Sequence, residues 1–343
     1  MHHLTSSRLE VVRWDHTRRT ETVVHAIVQR EFGSADTLVL EETADPVPGP
    51  GQVRIRVSAI GVHLVDTTIR AGRDNGAMPV PSLPMTPGRE VAGVVDLLGD
   101  GVGTALLGAR VVAHLGTASG GYAELAVAAA ASLHLVPDRV PLEAAVAAIG
   151  TGRTTLGILD RHPLTAADTA LVTSAAGGIG TLLVQAGRRA GAFVIGVAGG
   201  AGKVALVREL GADVVVDRHD PRWREQIAAT RPTVVFDGVG GAVGRAAFAA
   251  LAPGGVQLVF GWSSGEPNTY ESDAKSAVTV LGPRLTARPG GLRSLETEAL
   301  ALVADGSWRP VVGGRFSLAE AAGAHRALES GAAVGKVVLE VAR

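Results

Sequence analysis

The amino-acid sequence predicts an α/β fold in two parts, a β-rich lobe followed by a doubly wound parallel sheet. The chain has 343 residues, more than one domain usually holds. In its second half, short apolar segments alternate with helical patterns. These segments lie near residues 170–173, 193–197, 213–216, 233–236, 256–260 and 277–281. In the first half, strand-like stretches are separated by Pro-Gly turns at 25–30, 53–58, 90–97 and 110–113.

Composition narrows the possible partners and location. Lys and Arg together number 32 against 33 Asp and Glu, and the chain contains no cysteine. No excess positive charge is available to follow a nucleic acid or an anionic membrane, so we expect neither as a partner. Disulfides and thiolate metal sites are excluded. No signal peptide or membrane-spanning apolar run is recognisable, and we expect a soluble cytoplasmic protein.

The chain is expected to divide into four segments. Residues 1–23 lack sustained periodicity and are interpreted as an N-terminal extension. A β-rich catalytic domain is predicted over 24–148 and a nucleotide-binding domain over 149–284. The remaining segment, 285–343, is predicted to contain helices at 292–304 and 318–329 and a final strand at 336–341 that returns to the first lobe.

A glycine-rich turn is the most informative local pattern. The sequence Ala175-Ala176-Gly177-Gly178-Ile179-Gly180 follows a short buried strand and opens a helix. Glycines in such a turn permit a tight bend, let backbone N–H groups approach a pyrophosphate, and allow close helix–strand packing. The helix N-terminus adds partial positive charge. We therefore predict a dinucleotide site of the Rossmann type formed by Ser174, Ala175, Ala176, Gly177, Gly178, Ile179 and Gly180.

The segment after the second strand of this domain favours NADPH over NADH. An Asp or Glu usually stands there to bind the ribose hydroxyls, but this chain has Ala-Gly-Gly-Ala-Gly-Lys at 198–203. A carboxylate would repel a 2′-phosphate, whereas Gly199 leaves room for one and Lys203 supplies a cation. The alternative interpretation of Lys203 is a solvated lysine in the first helical turn.

Six motifs along the chain carry a family resemblance. In order, they are Gly61-Val62-His63-Leu64-Val65-Asp66, Ile69-Arg70-Ala71-Gly72, Pro87-Gly88-Arg89-Glu90-Val91-Ala92-Gly93, Gly120-Gly121-Tyr122-Ala123-Glu124, the glycine turn at 175–180, and Ala327-Leu328-Glu329-Ser330 with Gly335-Lys336-Val337-Val338-Leu339. Over residues 24–343 the chain resembles the zinc-independent, zeta-crystallin-like quinone oxidoreductase branch of the medium-chain dehydrogenase/reductase superfamily. The resemblance implies a GroES-like catalytic domain before a Rossmann domain. It also implies NADPH-dependent hydride transfer to a quinone or an α,β-unsaturated carbonyl, of the enone or enoyl type.

Two positions speak against zinc. Zinc-dependent relatives place metal ligands, a Cys and a His, where this chain has His63 and Arg89. Arginine cannot ligate zinc and would repel it, so no metal site is expected. A metal held by His63 and Glu90 alone is the remaining alternative.

The resemblance also implies where the nicotinamide lies. It places the cofactor against Thr154 and against two loops that follow later strands, where ligands bind in open α/β sheets. The residues implied are Thr154, Val239, Gly240, Gly261, Trp262 and Ser263, together with Lys336 of the last motif. Relatives often carry a Tyr and an Arg near the adenosine phosphate, where this chain has Arg218 and Gly331. We hypothesise that Arg218 binds the 2′-phosphate beside Lys203, with a solvated surface arginine as the alternative.

Three side chains are the catalytic candidates: His63, Asp74 and Trp262. His63 stands where relatives have Asn, and it could polarise a carbonyl or donate a proton. A neutral, hydrogen-bonded histidine is the alternative. Asp74 stands where relatives often have Tyr, and its alternative is a solvated turn residue. Trp262 could wall the substrate or the nicotinamide, or it could pack between the domains.

Two further expectations concern function and assembly. An NADPH-binding protein with little turnover, in a structural or sensing role, is the alternative to an enzyme. By analogy with the family, the strand at 277–281 lies at the edge of the nucleotide sheet. Because an unpaired apolar edge invites pairing with a second copy, we expect a homodimer.

Overall fold

A computed structural model describes residues 23–73, 80–116, 120–280, 282, 285 and 287–342. The extension predicted over 1–23 lies outside the described residues apart from Val23, and so does the catalytic candidate Asp74.

The first lobe is built from short strands with one helix among them. Its elements are β1 (Val23–Gln29), β2 (Leu38–Ala44), β3 (Gln52–Val62), α1 (Leu64–Arg70), β4 (Glu90–Leu98), β5 (Arg110–His114), β6 (Leu125–Ala129) and β7 (Leu133–Leu135). Strand β3 shows why they form, because Val53, Ile55 and Val57 are buried while the arginines between them point outward, which is the period of two of a strand.

The second domain alternates strands and helices as predicted. Two helices lead into it, α2 (Leu142–Ala147) and α3 (Arg153–Leu159), joined by a π-helical turn at Ala148–Gly152. Its elements are β8 (Thr169–Val172), α4 (Gly178–Ala190), β9 (Phe193–Ala198), α5 (Ala201–Glu209), β10 (Val214–Asp217), α6 (Trp223–Thr230), β11 (Val234–Asp237), α7 (Gly241–Ala250), β12 (Val256–Val259) and β13 (Ser276–Thr279).

The strands of this domain form one parallel sheet in the order β10-β9-β8-β11-β12-β13. The predicted doubly wound sheet is therefore confirmed. The direction of winding reverses between β8 and β11, and ligands bind outside the carboxyl ends of the strands at such a point. The glycine turn follows β8 and so lies at this point.

The last part of the chain returns to the first lobe. It comprises α8 (Gly291–Ala304), β14 (Gly314–Ser317), α9 (Ala321–Glu329) and β15 (Val337–Glu340). The resulting sheet has the order β14-β15-β3-β4-β5-β7, and β6 also pairs with β3. The predicted return of the final strand is confirmed, since β15 runs antiparallel to β3 with Val337 opposite Val62.

Several short strands were not predicted from the sequence. They are β2, β6, β7 and β14. Strand β6, for example, reads Leu-Ala-Val-Ala-Ala, and alanine has little preference for strands. Such segments become strands because a neighbour pairs with them, which local sequence does not reveal. Among the helices described, none has the length and apolar character that crossing a bilayer requires.

A buried polar pair fastens helix α9 to the first lobe. His325 is fully buried, and its Nε2 lies 3.0 Å from the Tyr122 hydroxyl, with the two rings nearly perpendicular. Burial lowers the pKa of His325 from 6.5 to about 4. His325 is therefore neutral in the folded protein at neutral pH.

Because His325 is buried in this pair, we expect the free energy of unfolding to fall as the pH is lowered from 6.5 towards 4. In that window the unfolded chain binds a proton at residue 325 and the folded chain does not, so acid favours unfolding. At 1.36 kcal/mol per pKa unit, the loss over the whole window is about 3 kcal/mol. Urea unfolding at several pH values should show a flatter pH dependence in His325→Gln than in the wild type.

The exposed His219 provides the control for this experiment. His219→Gln should keep the slope of the wild type. An unchanged slope in His325→Gln would show that the acid sensitivity has another origin.

Candidate active site

The glycine turn is shaped for close packing at the N-terminus of α4. Gly177 caps the helix without a side-chain hydrogen bond from the described part of the chain. A Cβ on Gly180 would lie 2.8 Å from the Cα of Ala175, so only glycine lets the helix pass so near the end of β8. Ala175, which replaces the usual first glycine, is fully buried, and a Cβ on Gly196 would come within 3.0 Å of its methyl group. Gly196 thus makes room for the alanine.

Two predicted cofactor-binding cations meet at the loop after β9. The Nε of Arg218 lies 2.5 Å from the position that a Cβ on Gly199 would occupy. Burial lowers the pKa of Lys203, and the positive charge of the nearby Arg218 lowers it further. Asp217 holds the loop, since one of its oxygens accepts hydrogen bonds from the backbone N–H groups of Gly200 and His219.

Lys203 is also tied to the C-terminal segment. Its Nζ donates a hydrogen bond to the Gly331 carbonyl oxygen, at 2.5 Å. Gly331 stands where relatives often carry Arg, and here its backbone holds the lysine. The side chain is thus anchored beside the loop.

The loops after β11 and β12 are joined to each other. The backbone N–H of Ser263 donates to the Gly238 carbonyl at 3.1 Å, and one Asp237 oxygen accepts from the N–H groups of Val239 and Gly240. Trp262 is 40% exposed, which contradicts the alternative that it packs between the domains. The buried tryptophans of the described residues are Trp308, 4% exposed, and Trp223, 8% exposed.

His63 lies in a cluster of charged groups that strand register creates. Because Val62 is opposite Val337 and Ile60 is opposite Val91, the residues next to these pairs come together. The His63 Nε2 lies 2.5 Å from a Glu90 carboxylate oxygen and 2.7 Å from the Lys336 ammonium nitrogen. Lys336 Nζ is 3.4 Å from the same oxygen.

The cluster is largely buried and extends from Glu90 through Arg153 and Glu296 to His134. Burial by itself would raise the pKa of Glu90, but the charges of His63, Lys336 and Arg153 hold it well below its usual range. Burial lowers the pKa of Lys336, against the opposing effect of Glu90. Arg153 also binds Glu296 at 2.6 Å. Glu296 in turn lies 3.0 Å from His134 Nε2.

Two glycines make space for the Glu90 carboxylate. A Cβ on Gly61 would lie 2.6 Å from one of its oxygens, and a Cβ on Gly150 would overlap both of them. Gly150 belongs to the π-helical turn between α2 and α3, a feature often found at functional sites. Sequence analysis missed Arg153 and considered Glu90 beside His63 only as a metal ligand, although a glutamate at the start of a buried apolar strand was a usable signal for a buried charged cluster.

The glycine turn and the charged cluster lie close together. The backbone N–H of Gly335, next to Lys336, donates to the Ala176 carbonyl at 2.7 Å. A Cβ on Gly178 would contact Thr151 at 3.1 Å, in the same π-helical turn that approaches Glu90. Lys336 was predicted to bind the cofactor, and this stays a prediction; its Nζ lies beside His63 and Glu90. Thr154 follows this turn and donates its hydroxyl to the Gly150 carbonyl.

No group of three or more histidine, cysteine or carboxylate side chains suited to a metal ion is found in the described ranges. Asp74 lies outside them, so its predicted place in the cleft stays a prediction.

Comparison with known proteins assigns this chain to a family. A family model described as alcohol dehydrogenase GroES-like domain matches residues 49–138, and one described as zinc-binding dehydrogenase matches residues 210–339. The quinone oxidoreductase of Pseudomonas aeruginosa is 32% identical, and the match covers 90% of this chain and 97% of the relative. That of Sus scrofa is 31% identical, covering 93% and 98%.

Solved structures agree with this assignment. Escherichia coli quinone oxidoreductase in complex with NADPH superimposes with a TM-score of 0.81 at 27% identity, covering 92% of this chain and 99% of the other. A mycobacterial protein in complex with NADPH gives a TM-score of 0.80 at 32% identity over the same shares. These matches, together with the two lobes and the sequence motifs, show that the chain belongs to the zeta-crystallin-like quinone oxidoreductase branch of the medium-chain dehydrogenase/reductase superfamily.

Proposed function

We propose that this protein is an NADPH-dependent, zinc-independent reductase that transfers hydride to a quinone or an α,β-unsaturated carbonyl. The observation that carries the proposal is the hydrogen bond from Gly335 to Ala176, which brings the glycine turn close to the cluster around His63; we place the active-site cleft there. Oxidation of NADPH in the presence of quinones and enones tests it. Binding of NADPH without turnover of any acceptor would favour the structural or sensing alternative.

The residues present fit NADPH. The N-terminus of α4 carries no side-chain cap in the described structure, so its first N–H groups and its dipole suit a pyrophosphate. Lys203 and Arg218 flank the loop at Gly199 and suit a 2′-phosphate. In this proposal the turn at 174–180, Gly199, Lys203 and Arg218 hold the adenosine and phosphate end. Thr154, Val239, Gly240, Gly261, Trp262, Ser263 and Lys336 border the nicotinamide end.

When bound, NADPH supplies a hydride and its two electrons. The chain's own part is to orient the acceptor, exclude water and stabilise the negative charge that develops on it. His63 is the proposed catalytic group on the side of the first lobe, and Trp262, at the rim of the facing loops, can close over a flat acceptor. Asp74 belongs to the proposal on sequence grounds alone.

Zinc independence is supported by the charges around the candidate donors. Lys336 Nζ lies 2.7 Å from His63 and 3.4 Å from Glu90, so an ammonium lies beside the two groups that might share a metal. Arg153 lies 3.8 Å from the other Glu90 oxygen. Arg89 forms an ion pair with Asp66 at 3.5 Å. A divalent cation would be repelled by these three side chains.

A homodimer is proposed on the position of β13. This strand is at the end of the sheet order, and its terminal residues Ser276 and Thr279 are exposed. Pairing of two such edges would extend the sheet across a two-fold axis. Cytoplasmic location stays a prediction from the sequence.

The first prediction of this proposal concerns cofactor choice. Replacement of Arg218 by Ala removes a cation from the proposed 2′-phosphate site, and we expect NADPH affinity to fall about 10- to 100-fold. NADH affinity should change little, because NADH lacks that phosphate. Fluorescence titration of both cofactors measures the effect.

A neighbouring arginine serves as the control for Arg218→Ala. Arg222 is 74% exposed, so Arg222→Ala should leave both affinities unchanged. Equal losses for NADPH and NADH in Arg218→Ala would rule out a role in recognising the phosphate.

The second prediction concerns metal. Because three cationic side chains surround Glu90, His63 and Asp66, prolonged dialysis against a chelator should leave NADPH-dependent reduction intact. Elemental analysis should find zinc far below one atom per chain. Loss of activity that added zinc restores would contradict the proposal.

The third prediction concerns assembly. Sedimentation equilibrium should report the mass of two chains. Ser276→Lys places a charge at the proposed edge and should shift the equilibrium towards one chain. A single-chain mass for the wild type would refute the dimer.

A further inference from the structure

One ring nitrogen of His63 lies near two groups, of which one needs a hydrogen-bond donor and the other needs an acceptor. An imidazole nitrogen either carries a hydrogen and donates it or offers a lone pair and accepts. Nε2 lies 2.5 Å from a Glu90 oxygen, which requires a donor, and 2.7 Å from the Lys336 nitrogen, which as an ammonium requires an acceptor. The three atoms therefore compete for one proton.

The same atomic positions allow two arrangements of the protons. In the first, Nε2–H donates to Glu90 while the Lys336 ammonium donates to Nδ1, 3.3 Å away. In the second, the proton of Lys336 has passed to the ring, and the imidazolium faces Glu90 beside a neutral amine. Burial, which lowers the pKa of Lys336, brings the second arrangement closer in energy to the first.

The charged surroundings keep this proton inside the cluster. Glu90 and Lys336 are 1% and 4% exposed, whereas the His63 side chain is 23% exposed. Arg153 on α3 neutralises part of the Glu90 charge, and Asp66 on α1 accepts a hydrogen bond from the His63 backbone N–H at 2.8 Å. Further charged or titratable groups acting on the cluster are Arg89, His114 and Glu296. His63 is thus the member of the trio with access to the cleft.

We infer that His63 is the acid that protonates carbon after hydride transfer, that Lys336 supplies the proton that His63 donates, and that the cleft therefore favours α,β-unsaturated carbonyls over quinones. This inference rests on the proposed function. Bound NADPH would supply hydride to the β-carbon, and the electrons of the double bond would move to the carbonyl oxygen to form an enolate. The N–H bond of the imidazolium breaks as a C–H bond forms at the α-carbon. The imidazole and the Lys336 amine are then both neutral, and Lys336 regains its proton from water once the product has left.

The preference for enones over quinones arises because protonation at carbon is slower than protonation at oxygen. Protonation of an enolate at carbon is slow and gains from a positioned general acid, typically by 10²- to 10⁴-fold. A reduced quinone needs protons only on oxygen, and water supplies those rapidly. A buried proton source at the cleft therefore benefits an enone far more than a quinone.

The test replaces His63 by Asn, the residue that stands at this position in relatives. With an α-methyl cyclic enone, kcat should fall about 100-fold, the lower range of general acid catalysis. With a para-benzoquinone it should fall by less than about tenfold, since that reaction keeps its hydride step. His162, paired with Asp168 at 3.1 Å and 29% exposed, offers the same substitution outside the cleft. His162→Asn should match the wild type with both acceptors.

Isotope labelling gives a readout that a merely structural role would not change. In D₂O, the wild type should place deuterium on one face of the α-carbon of the enone product, and His63→Asn should place it on both faces. Lys336→Met removes the neighbouring positive charge and should move the alkaline limb of the enone pH profile to higher pH. Thermal unfolding and NADPH affinity of each variant establish that it is folded.

A readout without cofactor completes the test. In ¹⁵N spectra of the uniformly labelled apoprotein, the His63 ring signals should titrate differently in Lys336→Met than in the wild type, because the two groups share a proton. Identical titration would overturn the relay from Lys336.

The outcomes separate this inference from the proposed function. Equal losses with enone and quinone in His63→Asn, or an unchanged deuterium face, would overturn the inference and leave the reductase standing. Failure of the wild type to oxidise NADPH with either acceptor would instead overturn the proposed function.

Discussion

The antiparallel register of β15 on β3 is the constraint on which the candidate active site depends. Val337 lies opposite Val62, so Lys336 and His63, nearly three hundred positions apart in sequence, become neighbours. The pairing of β3 with β4 adds Glu90 from the other side. A slip of one residue would turn every side chain of β15 to the other face of the sheet and would separate the cluster.

Burying this cluster is energetically demanding, and the surrounding structure compensates for it. An isolated buried carboxylate would be several kcal/mol unfavourable, but Glu90 has three cationic or titratable partners from three different parts of the fold. Gly61 and Gly150 leave the carboxylate its space. Removing one partner therefore affects the others, and the cluster is better regarded as one unit than as separate residues.

The cofactor side shows departures from the family pattern, each with a structural counterpart. Ala175 fills the place of a glycine, and Gly196 on the next strand provides the room. The arginine absent at Gly331 is replaced by Arg218 in our proposal, and the Gly331 carbonyl anchors Lys203. Each loss is offset by a residue that is distant in sequence and adjacent in space.

The sequence by itself determined the doubly wound sheet, the glycine turn and the two lobes, because the spacing of apolar residues and glycines is a local property. It also singled out His63, Lys203 and Arg218. Only the tertiary structure brought Glu90, Lys336 and Arg153 to His63, since their meeting depends on strand register and on the π-helical turn. The short strands β2, β6, β7 and β14 were missed for the same reason, as pairing partners far along the chain decide whether such segments become strands.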